Sequence, residues 1–184
     1  MKKKLTAIDL FSGAGGLHLG FEESGYDVKL CIDNNDLVEK THKRNFPHIP
    51  MINGDIRDVT ADQIREYLDG ESLDVIIGGP PCQGFSTIGH RASSDPNKRY
   101  AHDARNELVL VYANLIKELR PKFIVMENVK GILTLDKGAY LENVMKTLHE
   151  AGYNAEYRLI NMADYGVPEI RNRVIIIGNR VGLP

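Results

Sequence analysis

Four short stretches of the chain carry residues that can do chemistry. The first is Gly13-Ala14-Gly15-Gly16, behind the apolar run Leu5 to Phe11 and ahead of Leu17, Gly20 and Phe21 at helical spacing. Glycines at such a turn let backbone approach a ligand closely at a strand's carboxyl end, which is where ligands sit in open α/β sheets. A dinucleotide-binding turn would read Gly-x-Gly-x-x-Gly, and its last glycine would fall at His18. That fingerprint fails. Asp33, 20 residues beyond Gly13, nevertheless stands where an acid accepts from ribose hydroxyls. A nucleoside without a pyrophosphate satisfies both observations, and a tight strand-to-helix connection is the plainer reading of the glycines alone.

The second stretch is Gly78-Gly79-Pro80-Pro81-Cys82-Gln83-Gly84-Phe85-Ser86. Two prolines stiffen the chain before Cys82 and Gly84 loosens it after, a setting for an exposed, oriented thiolate nucleophile. Cys31, inside a strand-like run, takes the commoner role of a small buried hydrophobe. The third stretch, Glu127-Asn128-Val129, follows the apolar strand Phe123 to Met126. A carboxyl at such a strand end loses hydration, which favours the protonated form that a general acid needs; a helix cap or a solvent-facing carboxylate is the alternative. The fourth, Glu169-Ile170-Arg171-Asn172-Arg173, spaces two arginines at i and i+2. In extended chain both point to one face, where they can hold a carbonyl oxygen, a phosphate or Glu127.

The elements that must position these residues alternate between strand and helix. After the first strand and helix, Val28 to Ile32 reads as a strand stopped by Asp33-Asn34-Asn35, and a helix runs to Asn45 before Phe46-Pro47 breaks it. A short strand follows near Met51-Ile52. Thr60-Ala61-Asp62-Gln63 has the form of a capping box and opens a helix with Ile64, Tyr67 and Leu68 on one face, ended by Gly70. Asp74 to Gly79 is a fourth strand. Leu108, Tyr112, Leu115 and Leu119 mark a helix closed by Pro121, and Leu141, Val144, Met145 and Leu148 mark another. Tyr153 to Ile160 and Val174 to Gly178 supply the last strands. The pattern predicts an α/β fold, an open, mostly parallel twisted sheet with helices on both faces. Between Gly84 and Arg105 no periodicity exists, and Arg91, Lys98, Arg99 and Arg105 face only Asp95 and Asp103. This predicts a mobile basic lid hinged near Gly84 and Gly89, with a solvated surface loop as the alternative.

Composition narrows the function classes. With 184 residues, 42% hydrophobic and 26% charged, the chain reads as one globular domain rather than disorder, collagen or coiled coil. Apolar runs such as Val174 to Ile177 fall far short of the ~20 residues of a membrane span, so no membrane partner is expected. Met1-Lys2-Lys3-Lys4 leads into Leu5 without a signal-peptide core. Cys31 and Cys82 are too far apart for a zinc knuckle, and the six histidines show no ligand spacing. No metal is expected, and a reducing cytoplasmic compartment is. A net charge of −2 excludes a broad phosphate-gripping surface, so any nucleic-acid contact must be local.

Taken in order, these motifs resemble the cytosine carbon-5 DNA methyltransferases, a family with a Rossmann-like fold that uses S-adenosylmethionine. Phe11-Ser12-Gly13-Ala14-Gly15-Gly16 is similar to the family's cofactor loop, and Asp33 to its ribose-binding acid. Gly54-Asp55-Ile56 resembles the element beside adenine, with Asp55 for the exocyclic amine. Pro81-Cys82-Gln83 resembles the nucleophile motif, Glu127-Asn128-Val129 the glutamate that protonates the base, Arg171-x-Arg173 the arginine pair, and Asp164 to Pro168 the segment before it. The resemblance further assigns Asn34, Gly79, Pro81 and Leu108 to the cofactor, and Gln83, Ser86, Asn128, Arg91 and Arg99 to the substrate.

Two positions depart from the pattern. Glu169 stands where Gln is usual, and Asn34 where an aromatic ring often stacks on adenine, so Phe11 and Ile56 are expected to supply that apolar contact. The chain reaches Pro184 without the family's target-recognition domain and final helix. It is therefore expected to be the cofactor-binding and catalytic domain, either of a shortened chain or of a split enzyme with a second, recognition-bearing subunit, and to lack sequence-specific methylation alone. The implied substrate is double-stranded DNA with a flipped cytosine, within a restriction-modification system. The alternatives are an RNA cytosine-5 methyltransferase and a non-catalytic S-adenosylmethionine-binding subunit; the latter has no need of Cys82, Glu127 and Arg173 together.

Overall fold

The computed structural model describes residues 3–81 and 107–183. Cys82, Gln83, Ser86, Arg91, Arg99 and the expected lid between Gly84 and Arg105 lie outside the described residues. In chain order the elements are β1 (Thr6–Leu10), α1 (Gly16–Glu23), β2 (Asp27–Asp33), α2 (Asp36–Asn45), β3 (Met51–Asn53) and α3 (Ala61–Glu66). There follow β4 (Val75–Gly78), α4 (Glu107–Leu119), β5 (Phe123–Val129), α5 (Ala139–Glu150), β6 (Asn154–Asn161) and β7 (Asn172–Asn179).

The strands form one sheet in the order β3-β2-β1-β4-β5-β7-β6. Pairing is parallel from β3 through β5, and β7 runs antiparallel between β5 and β6. The central strands are apolar on both sides because helices cover both faces: all of β1 and β4 is buried. Ala7, Val28, Cys31, Val75 and Ile77 face α1 and α2 with Phe46 and Leu17, while Ile8, Leu10, Leu30, Ile32 and Ile76 pack under α3, α4 and α5 with Ile64, Tyr112 and Leu141. Gly78 makes one of these approaches possible. A Cβ there would stand 2.4 Å from the Leu10 carbonyl oxygen and 2.9 Å from Tyr112 Cε2. Among the described residues no helix is long and apolar enough to cross a membrane.

The capping box forms as expected: the Thr60 N–H donates to Gln63 Oε1 at 2.8 Å, and the Gln63 N–H to Thr60 Oγ1 at 3.2 Å. Helix α3 ends at Glu66, short of Gly70, because Tyr67 and Leu68 bond back three residues, to Ile64 and Arg65, and tighten the last turn. The larger correction concerns β5. It was expected to stop at Met126 and instead runs to Val129, because β7 starts at Asn172 and pairs Val129 with Arg173 and Glu127 with Ile175. Glu127 therefore lies within the sheet rather than beyond its end.

Candidate functional site

Register brings the candidate residues together. Leu10 pairs with Ile32 on one side and Gly78 on the other, and Gly78 pairs with Met126. The next residue of each strand, Phe11, Asp33, Gly79 and Glu127, therefore falls in one row at the carboxyl edge. Strand order reverses at β1 and β4, the crevice where open α/β sheets bind ligands. A cavity of about 400 Å³ opens there, within the range of a small-molecule site. Of the residues expected at the cofactor, Phe11, Asp33, Asn34, Asp55, Ile56, Gly79, Pro81 and Leu108 line it. Ile32, Asn35, Val38 and Gly54 line it too, and sequence reasoning missed them. Gly54 had a signal, its place in Gly54-Asp55-Ile56; Val38 had none, since only the packing of α2 turns it inward.

Ser12, Gly13, Ala14, Gly15 and Gly16 are not among the lining residues; they shape the wall. The chain reverses at Phe11, whose φ of 65° is unusual for a side chain of that size and is the kind of local strain found at ligand sites. The Ser12 N–H donates to Ile32 O at 3.0 Å, and the Gly13 N–H to Asp33 Oδ2 at 2.9 Å. Gly15, at φ 99°, must be glycine twice over, because a Cβ would also meet Phe46 at 2.5 Å and His18 at 2.7 Å. Ser12 Oγ is buried with no partner among the described residues.

Asp33 is held from both sides, since Oδ1 accepts from the Asn35 N–H at 3.1 Å. The carboxylate is thereby fixed at the cavity wall, with acceptor sites to spare. Asp55 caps the short 3-10 turn Ile56–Asp58 by accepting from the Arg57 N–H at 2.9 Å, and Arg57 Nε and Nη2 close on its two oxygens. The Arg57 guanidinium and backbone N–H hold the Asp55 carboxyl down to about 2.

On the other side of the row, Arg173 Nε lies 2.5 Å from Glu127 Oε1, with the side chains 15% and 27% exposed. The two residues are diagonal neighbours on paired antiparallel strands. It is a contact of charge rather than an aligned hydrogen bond, since Nε lacks a hydrogen-bond acceptor. The expected apolar surround of Glu127 is thus replaced by a cationic partner. Gly79 leaves room for the carboxylate, because a Cβ there would sit 3.2 Å from Glu127 Oε2. Of the two arginines only Arg173 reaches Glu127; Arg171, ahead of the strand, lies 3.8 Å from Glu169, the residue that departs from the family pattern. Asn128, expected at the substrate, is instead 2% exposed and its amide donates to Pro80 O at 3.2 Å, because the pleat turns it to the α4 side of the sheet. It holds the segment that leads to Cys82.

The model of the C-5 cytosine-specific DNA methylase family matches residues 5–184. The chain is 42% identical over 181 residues to the type II methyltransferase M.XorII of Xanthomonas oryzae and 40% identical over 192 residues to M.AquIA of Picosynechococcus. These alignments take in 96% and 99% of this chain, but 41% and 74% of those relatives, so the chain spans less than half of M.XorII. Among solved structures, an Escherichia coli prophage protein superposes with a TM-score of 0.80 at 33% identity, covering 96% of this chain and 47% of that one. A substituted variant of Spodoptera frugiperda DNMT2 superposes with 0.75 at 28%, covering 98% and 51%. With a family match over nearly its whole length and relatives about 40% identical, this chain belongs to the C-5 cytosine-specific DNA methylase family.

Proposed function

We propose that the chain is the cofactor-binding and catalytic part of a restriction-modification DNA (cytosine-5)-methyltransferase, acting on a cytosine flipped from duplex DNA. The observation that carries this reading is the row Phe11, Asp33, Gly79 and Glu127 along one sheet edge, with a nucleoside-sized cavity on one side and the Glu127–Arg173 pair on the other. The cavity fits S-adenosylmethionine. Phe11, Val38, Ile56 and Leu108 would give apolar contact to adenine, Asp33 would accept from ribose hydroxyls, and Asp55 keeps acceptor sites for the exocyclic amine because a carboxylate has about four. When bound, the cofactor supplies the methyl group.

The chemistry asked of the protein follows from the base. Carbon 5 of cytosine is too weak a nucleophile to attack a methyl sulfonium. Addition of the Cys82 thiolate to carbon 6, with Glu127 relaying a proton taken up from water to ring nitrogen 3, turns the ring into an enamine that is nucleophilic at carbon 5. After methylation, transfer of the carbon 5 proton to water expels the Cys82 thiolate and restores the double bond, and the proton on ring nitrogen 3 returns to Glu127. Arg173 keeps the Glu127 carboxyl aimed over Gly79, and Asn128 holds Pro80 in place. Extruding the base costs a few kcal/mol of stacking and pairing.

The test, with the recognition-bearing part supplied, is a duplex with 5-fluorocytosine at the target position, where fluorine replaces the proton that must leave. Peptide mass spectrometry should find the methylated base bound to Cys82. Attachment to Cys31, or methylation of ordinary DNA without the adduct, refutes the mechanism.

A further inference from the structure

On the α1–α2 side of the sheet, beneath the glycine turn, four ionisable side chains are buried together. Asp9 of β1, His18 of α1 and Cys31 of β2 are each 0% exposed, and His42 of α2 is 3% exposed. His18 Nδ1 lies 3.0 Å from Asp9 Oδ2 and 3.3 Å from Cys31 Sγ. His42 Nε2 lies 2.8 Å from the Ile49 carbonyl oxygen, so Nε2 carries the proton and Nδ1 keeps its lone pair. That Nδ1 has no hydrogen-bond partner, and neither has Asp9 Oδ1 or His18 Nε2. His18 Nε2 is closed off by Gly15, which leaves Nδ1 as the atom turned toward Asp9 and Cys31.

Orphaned buried polar atoms are rare, and two of these, His42 Nδ1 and Asp9 Oδ1, are acceptors that call for a cationic group to satisfy them. The ligand atoms of His18, Cys31 and His42 all lie within 4.8 Å of one another. One thiolate and two imidazoles form the borderline-soft set that zinc prefers, and Zn–N and Zn–S bonds of about 2.0–2.3 Å put tetrahedral ligand edges at roughly 3.3–3.8 Å. The 3.3 Å separation of His18 Nδ1 and Cys31 Sγ is already such an edge. Charge closes as well: a divalent ion with the Cys31 thiolate and the Asp9 carboxylate is neutral.

We propose that this pocket holds a zinc-class divalent ion bound by His18, Cys31 and His42, with the Asp9 carboxylate, 3.0 Å from His18 Nδ1, as a second negative neighbour of the ion. The ion ties β1, α1, β2 and α2 together under the wall of the cofactor cavity. It is separate from the methyl-transfer chemistry and does not depend on that reading.

Tag-free protein, equilibrated with zinc and dialysed, should retain close to one equivalent by elemental mass spectrometry. Cobalt in its place should give the visible bands of a tetrahedral site and a thiolate charge-transfer band that Cys31→Ser removes. Asp9→Asn should weaken zinc binding by about 10- to 100-fold, because the buried ion then has one negative neighbour rather than two, and His42→Phe should weaken it further. Wild-type protein that keeps no zinc overturns the proposal and leaves a polar pocket satisfied by water. A cobalt spectrum that folded Cys31→Ser leaves unchanged also overturns it; where that variant fails to fold, the same comparison is made with His42→Phe.

Discussion

Asp33→Asn puts the cofactor wall to a quantitative test. The carboxylate accepts from the Gly13 N–H at 2.9 Å through one oxygen and from the Asn35 N–H at 3.1 Å through the other. Asparagine has one oxygen, so its amide NH₂ must face one of those N–H groups. A charge-assisted bond is lost and two donors oppose each other. Bonds to charged groups contribute about 1.5–3 kcal/mol, and partial solvation of this site lowers the cost to about 1–2 kcal/mol. Those bonds are made with and without ligand, so that cost falls on folding; losing the negative acceptor for a ribose hydroxyl weakens binding by about 1–2 kcal/mol, roughly 5- to 30-fold in affinity. Calorimetric titration with S-adenosylhomocysteine measures it. Thermal unfolding should fall by about 2–8 °C, since each kcal/mol moves a domain of this size by about 2–4 °C. Asp36→Asn is the control, because Asp36 accepts from the exposed Asn53 amide at 2.9 Å and is not among the residues lining the cavity, so it should leave affinity unchanged. A folded Asp33→Asn protein that binds as tightly as wild type refutes the assigned wall, and so does a lowered melting temperature with unaltered affinity.

Gly78→Ala should destabilise the protein by about 1–3 kcal/mol in urea unfolding, because the new methyl collides with the Leu10 carbonyl and Tyr112. Gly54→Ala, which meets only Ile52 Cγ2 at 3.9 Å, should stay within about 0.5 kcal/mol, and equal midpoints for the two variants would show that the sheet yields where it is expected not to. The Asp55 carboxyl should titrate near 2 by carboxyl-carbon NMR, held down by Arg57. Its folded value lies below the unfolded one, so its contribution to stability is complete above the ordinary aspartate value of about 3.9 and is lost as pH falls from there through 2. Arg57→Ala should move the titration up toward about 3.9, and no movement would exclude Arg57 as the cause.

Alternating apolar runs and turn residues were enough to read the element order from the sequence, because that information is local: the Thr60–Gln63 box, the Pro121 stop and the Asp33-Asn34-Asn35 break each act within a few residues. The mostly parallel sheet followed from the same pattern, since parallel strands need crossovers and helices fill them. What needed the tertiary structure was decided by partners far away in the chain. β5 extends past Met126 because β7, more than 40 residues later, offers backbone groups to pair with, and this places Glu127 against Arg173 and turns Asn128 inward to Pro80. Arg57 on Asp55 was within reach of sequence reasoning, but only the turn's geometry aims it there. His18, Cys31 and His42 show no ligand spacing because a strand and two helices separate them along the chain; packing alone closes that distance to less than 5 Å, and periodicity, which counts neighbours along one element, cannot register it.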